Sequence, residues 1–209
     1  MSVYYNRLAG LSVERLAALS DGIFAVAMTL LVLDLRLPGK EAAHSEQDLW
    51  RMLCAIGPQL LAYLMSFLTL GIFWNGQQVQ LNLFDRGDQR LTWIHLAFLF
   101  AVTLMPFSTR LLAEFIALRT ALVWYWLNVL LLGLVLLGSW RYASRAGLLR
   151  QDLPAGTSQA VVRRIAIAQA LYALGAALCL FDNYASIGFI MLVQLNYAIA
   201  PKLGKLWRI

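Results

Sequence analysis

The chain has 209 residues, 61% of them hydrophobic and 13% charged, with a net charge of +6. Soluble domains are nearer half apolar and a quarter charged, so this composition excludes a soluble globular protein and leaves an all-α bundle of bilayer-spanning helices. The basic residues fall between the apolar segments, where they set topology against an anionic membrane face, and this excludes nucleic acid as the partner.

At roughly 20 apolar residues per span plus short loops, the length accommodates about six spans and no soluble domain, so residues 1–209 read as a single domain. Helix 1 is expected over about 13–37, capped by Ser12, apolar from Gly22 to Leu33 and stopped by Pro38. The polar stretch 39–48 reads as an external loop. Helix 2 covers about 49–77, with a kink or a late start at Pro58. Helix 3 covers about 90–115 and contains Pro106. Helix 4 covers about 121–142, a basic loop follows, and helix 5 covers about 161–181. Asp182 and Asn183 make a tight connection to helix 6, about 184–200, which ends before Pro201. Residues 1–12 carry no basic-then-apolar pattern with a cleavage site, so no removed signal peptide is expected. Cys54 and Cys179 lie in apolar segments and behave as small hydrophobes, which points to no disulfide, metal or cofactor site.

Lys and Arg positions give the orientation. With six spans, one side carries Arg7, Arg15, Arg86, Arg90, Arg141, Arg145, Arg150, Arg163, Arg164, Lys202, Lys205 and Arg208, and the other carries Arg36, Lys40, Arg51, Arg110 and Arg119. Twelve against five puts both termini in the cytoplasm of a multi-pass protein in the inner (plasma) membrane.

Helix 1 carries the informative residues. At 100° per residue, Leu19, Gly22, Ile23, Val26, Leu30, Leu33 and Leu37 form one apolar stripe with Thr29 at its edge, while Asp21 points to the opposite side. A carboxylate inside a span is costly unless paired or wetted, so it marks function or a required contact. On pattern alone the stripe suits lipid, a neighbouring helix or a lumen. Helix 2 returns to the depth of Ser20 and Asp21 with Phe73, Trp74, Asn75, Gly76, Gln77 and Gln78, whose indole and amide donors suit that carboxylate. An interfacial helix end with Trp74 in an aromatic belt accounts for the same residues.

The run Arg15-x-x-x-Leu19-Ser20-Asp21-Gly22-x-Phe24-Ala25, followed by Thr29-Leu30-Leu31-Val32-Leu33-Asp34, resembles the signature of the transmembrane protein 175 family of lysosomal and prokaryotic potassium channels. The resemblance continues in Phe73-Trp74-x-x-Gln77-Gln78 and in Leu104-Met105-Pro106-Phe107-Ser108-Thr109, and beyond about Phe115 it is one of hydropathy only. It implies a homotetramer in the bilayer with helix 1 of each subunit lining a central pore for monovalent cations, potassium favoured. It further implies an apolar constriction at Val26, Leu30 and Leu33 in place of a carbonyl filter, and a hydroxyl layer at Thr29 near which permeant potassium passes. Arg15, Ser20, Asp21 and Trp74 match the family's packing network, which Asn75, Gln77 and Gln78 adjoin. Family members usually carry histidine at one or both of the positions held here by Gln77 and Gln78, and glutamine does not titrate near neutral pH.

Three rival readings remain. A secondary transporter usually shows paired repeats and helices broken at the midplane, whereas no repeat is visible and Pro58 and Pro106 are expected toward the ends of their spans. An intramembrane enzyme is disfavoured because His44 falls in a loop and His95, alone on helix 3, reads as a hydrogen-bonded packing residue. A non-conducting membrane scaffold is excluded by no residue.

Overall fold

The structure is a computed structural model describing residues 12–36 and 44–199. Expectations resting on Pro38, Lys40, Ala200, Pro201, the N-terminal arm and the C-terminal lysines lie outside the described residues. Within them the fold is all-α, and the one β-type pairing is an antiparallel bridge between Phe84 and Leu149.

α1 (Val13–Leu30) begins at Ser12, whose hydroxyl accepts from the Arg15 backbone N–H at 3.2 Å, and it continues as a 3-10 turn over Leu31–Asp34. α2 (Glu46–Ala55) is a short helix with no buried residue, capped by Ser45, which accepts from the Asp48 N–H. α3 (Gly57–Leu83) takes Pro58 into its first turn, where a missing N–H costs nothing. α4 (Gln89–Thr103) is capped by Asp88, which accepts from the Leu91 N–H at 2.7 Å, and α5 (Met105–Glu114) follows after Leu104. α6 (Arg119–Arg145) and α7 (Thr157–Ala177) are separated by a loop with left-handed glycines at Gly147 and Gly156. α7 closes in a 3-10 turn, Leu178–Leu180, and α8 (Asn183–Ile199) completes the described chain.

Five segments are long and apolar enough to cross a membrane: Val13–Asp34, Gly57–Leu83, Gln89–Glu114, Arg119–Arg145 and Thr157–Leu180. α8 has 17 described residues, which at about 1.5 Å of rise per residue reach the lower end of a spanning length. The protein is therefore a multi-pass membrane protein.

Several boundaries differ from those read in the sequence, each for a local reason. The first span is not α-helical throughout, because it tightens into the 3-10 turn at Leu31. The expected helix 2 is two helices, since Pro58 forces a fresh start, and the second runs on to Leu83 because Gln77, Gln80 and Leu81 are buried there. Part of the expected external loop belongs to α2. Pro106 does not sit at the end of its span. It lacks the N–H that would bond the Val102 carbonyl, so the helix breaks at Leu104 with a further ten-residue helix beyond. Helices 4 and 5 begin earlier than expected, at Arg119 and Thr157, and helix 4 ends later, at Arg145.

The connections α3–α4 and α6–α7 meet at one end of the bundle. The Asp85 N–H donates to Leu148 O at 2.8 Å and the Arg150 N–H to Leu83 O at 3.0 Å. Val13, Ala17, Val161 and Val162 pack there against Leu81, Phe84, Leu91 and Trp140. That end consequently gathers Arg15, Arg86, Arg90, Arg141, Arg145, Arg150, Arg163 and Arg164. At mid-bundle a second interior runs through Phe24, Met65, Phe73, Phe98, Tyr125, Leu132 and Ile190. It encloses a fully buried polar cluster, in which Thr69 Oγ1 lies 2.9 Å from the Tyr125 hydroxyl and 2.6 Å from Gln194 Nε2, and Thr109 Oγ1 lies 2.6 Å from Ser66 Oγ. These bonds lock α3, α5, α6 and α8 together where no water competes.

Candidate functional site

Burial divides α1 into two faces. Leu16, Ser20, Phe24, Ala27 and Leu31, spaced by three or four residues, face the bundle. Phe24 rests on Phe98 at a ring separation of 6.0 Å, and Phe98 on Phe73 at 6.4 Å. The other face leaves Leu19, Val26, Leu30 and Leu33 uncovered, with Val26 57% and Leu33 68% exposed. Gly22, Ala25 and Thr29 are exposed beside them. Of the stripe predicted from the sequence, Leu19, Gly22, Val26, Leu30 and Leu33 are uncovered, Ile23 is half-buried against the core, and Leu37 lies outside the described residues. Because Leu31–Asp34 is 3-10, with three residues per turn, Leu30 and Leu33 align along the helix rather than drifting around it.

An open groove of about 420 Å³ runs beside that face. Its floor is α1 (Leu19, Gly22, Ile23, Val26, Leu30), and its far wall is Thr103 and Pro106, at the break between α4 and α5. The Thr29 hydroxyl donates back to its own helix, at 3.0 Å from Ala25 O and 2.9 Å from Val26 O. Its oxygen lone pairs remain free on the exposed side.

The polar residues of α1 meet α3 as two neighbouring clusters. Asp21 Oδ1 accepts from Trp74 Nε1 and from Gln78 Nε2, both at 2.7 Å. The single Ser20 hydroxyl proton is shared between Leu16 O at 2.8 Å and His95 Nε2 at 2.7 Å, and Ser20 Oγ accepts from Gln77 Nε2 at 2.9 Å. His95 of α4 joins the second cluster, its Nε2 lying 2.7 Å from both Gln77 Nε2 and Ser20 Oγ. With the Gln77 amino group donating, that ring nitrogen accepts and the imidazole proton sits on Nδ1.

The structure therefore brings Ser20, Asp21, Trp74, Gln77 and Gln78 together and leaves Arg15 and Asn75 apart. Both of these are exposed, and among the described residues neither side chain is hydrogen-bonded. His95 is the buried, hydrogen-bonded residue that the sequence suggested, and the structure adds what the spacing did not give, its partners Ser20 and Gln77. The signal was depth, because α1 and α4 start at the same end and Ser20 and His95 stand a similar number of turns from it. No group of three or more metal-ligating side chains occurs among the described residues.

Residues 15–106 match the sequence model of a family described as the endosomal/lysosomal potassium channel TMEM175. A potassium channel of Streptomyces collinus is 32% identical over 194 residues, covering 90% of this chain and 84% of that one. A potassium channel of Chamaesiphon minutus is 29% identical over 189 residues, covering 88% and 93%. The endosomal/lysosomal proton channel TMEM175 of Danio rerio is 40% identical over 75 residues, 34% of this chain and 14% of that one. The crystal structure of a lysosomal potassium-selective channel TMEM175 homologue from Chamaesiphon minutus superposes with a TM-score of 0.77 at 26% identity, covering 90% and 97%.

Proposed function

The chain belongs to the TMEM175 family, and on that premise we propose that it is the subunit of a potassium channel whose pore is formed by α1 from four copies. Family membership sets it among channels rather than enzymes. The observation that carries the reading is the division of α1, one face bonded to α3 and α4 through Ser20 and Asp21, the other an uncovered aliphatic stripe. A closed four-fold ring turning that stripe inward covers it, and it makes Val26, Leu30 and Leu33 successive apolar constrictions. Leu30 and Leu33, three residues apart in 3-10 geometry, form two layers about 6 Å apart along the axis.

Such a pore selects by dehydration. A cation crossing the leucine layers sheds part of its water, and potassium does so more readily than sodium. Four Thr29 oxygens offer a partly dehydrated potassium ion a ring of neutral dipoles just inside those layers. The ion is cargo, held briefly near Thr29, and no resident metal or cofactor is needed. Residues 1–209 act as one domain in the plasma membrane, with the arginine-rich end and both termini in the cytoplasm, as the distribution of basic residues supports.

Potassium flux from liposomes holding the purified protein tests this. A rate far above carrier turnover is expected, and Leu30→Asn or Leu33→Asn, by wetting the constriction, should raise it and weaken selectivity. A rate in the carrier range points instead to a transporter, and absence of flux to a scaffold. Well-folded tetramers of both variants with unchanged conductance and selectivity remove these leucines from the pore.

A further inference from the structure

Between α3, α4 and α6 lies a small cavity whose lining includes the polar side chains of Gln77, Gln80, His95 and Ser139, the rest being apolar. Gln77 and Gln80 are 2% and 3% exposed. Three of their amide atoms, Gln77 Oε1, Gln80 Oε1 and Gln80 Nε2, have no protein partner. An unpartnered buried polar atom is unfavourable, so three such atoms on two residues that line one cavity call for an occupant. The room for the centre of a water molecule is about 10 Å³. That is the lower bound for a single water with two to four polar partners, and it is too small for an organic ligand. No carboxylate, lysine or arginine lines the cavity to hold an ion, and the His95 ring nitrogen nearest Gln77 and Ser20 is already engaged with them.

We propose that this cavity is a built site for one water molecule, which donates to Gln77 Oε1 and shares a second hydrogen bond with the Gln80 amide. The hydroxyl of Ser139, which also lines the cavity, is its third partner. The site acts on α1 through Gln77. With Oε1 occupied by water, the amide is held with Nε2 toward Ser20 Oγ and His95 Nε2, the bonds that tie α3 to Ser20 of α1 and to His95 of α4. Without the water, both ends of the amide compete for the same partners and the imidazole loses its fixed tautomer. Gln80 is thus a positioning residue, recruiting the water that orients Gln77. The water site stands on geometry alone, and only its bearing on conduction rests on the pore assignment above.

The test is an electron cryomicroscopy map of the bilayer-embedded protein that shows ordered waters, together with ¹⁵N-histidine spectra. The chain has two histidines, and His44 lies exposed before α2, so the His95 ring resonances are directly assigned. The wild-type map should show one density peak about 2.7–3.2 Å from Gln77 Oε1 and from a Gln80 amide atom. Gln80→Leu should abolish the peak and shift the His95 ring nitrogens while leaving His44 unmoved. Ser139→Ala, which keeps both glutamines, should retain the peak. An empty cavity in the wild type, or a Gln80 side chain swung to another partner, overturns the site. An unmoved His95 spectrum in Gln80→Leu overturns the link to Gln77. A wild type that conducts no potassium contradicts the pore assignment, while the density still decides the water.

Discussion

Thr29 is the polar side chain within the apolar run of α1 from Gly22 to Leu33, and its proton is already engaged with Ala25 O and Val26 O. What it can offer an ion is therefore an oxygen and not a donor, which suits a cation. Thr29→Val keeps the shape and removes that oxygen, whereas Thr29→Ser keeps it. Reversal potentials under potassium and sodium gradients should move toward nonselectivity for the valine variant and stay near wild type for the serine variant. A potential unmoved by valine assigns selectivity to the leucine layers alone. Asp21 plays a different part, since its Oδ1 accepts two donors from α3 on the side away from the stripe. Asp21 and these two bonds are exposed in the single subunit, so Asp21→Ala forfeits the net value of the bonds, about 1 kcal/mol, which should appear as a lower thermal midpoint or loss of the tetramer. A stable tetramer with altered selectivity would instead place Asp21 in the ion path. Ser20, Asp21 and the donors of α3 were legible in the sequence because antiparallel spans fix depth. His95 was legible in principle by the same rule, but a lone histidine on an apolar face carries no sign of its partner. Its imidazole stands beside Gln77, so α4 contributes a ring nitrogen to the cluster and α3 an amide.

Elements show what local pattern cannot carry. Hydropathy located the spans, because apolar length is a property of the chain itself. It did not reveal the 3-10 ending of α1 or the independence of α2, which depend on how chain ends meet their neighbours. Pro106 was visible, yet its consequence, a wall for the groove beside α1, needed the packing of α4 and α5 against α1. Close helix approach is equally hidden in sequence. A Cβ on Gly175 of α7 would lie 2.6 Å from Ile190 Cγ1 and 3.1 Å from Phe189 Cδ1 of α8. The Ser186 hydroxyl donates to Gly175 O across the same contact. Gly175→Ala should therefore destabilise the α7–α8 pair by about 1–3 kcal/mol through overpacking. The check is the thermal midpoint in detergent, with Ile190→Ala in the same chain recovering part of the loss. An unchanged midpoint would show that α8 can withdraw freely.

At the scale of the whole molecule, two independent asymmetries agree. The arginines gather at the end where the α3–α4 and α6–α7 loops bond to each other, and the aliphatic stripe of α1 is uncovered along the span. The exposed aromatics Trp93, Phe100, Phe107 and Trp124 lie on the third and fourth spans, and the uncovered stripe of α1 carries none, which suits a lipid-facing surface on the former. Both fit the proposed pore, in which the α1 stripe faces water and ions at a shared axis while the other exposed faces meet lipid. Cysteine accessibility tests that claim directly. Cys54 and Cys179 are first replaced, and single cysteines are then placed at Val26, Leu30, Leu33 and, as lipid-facing controls, Phe100 and Leu192. A membrane-impermeant charged thiol reagent applied during potassium flux should react at Val26, Leu30 and Leu33 and block conduction, while both controls leave it unchanged. Flux that survives the reagent at all three α1 positions, or falls equally at the controls, contradicts the pore.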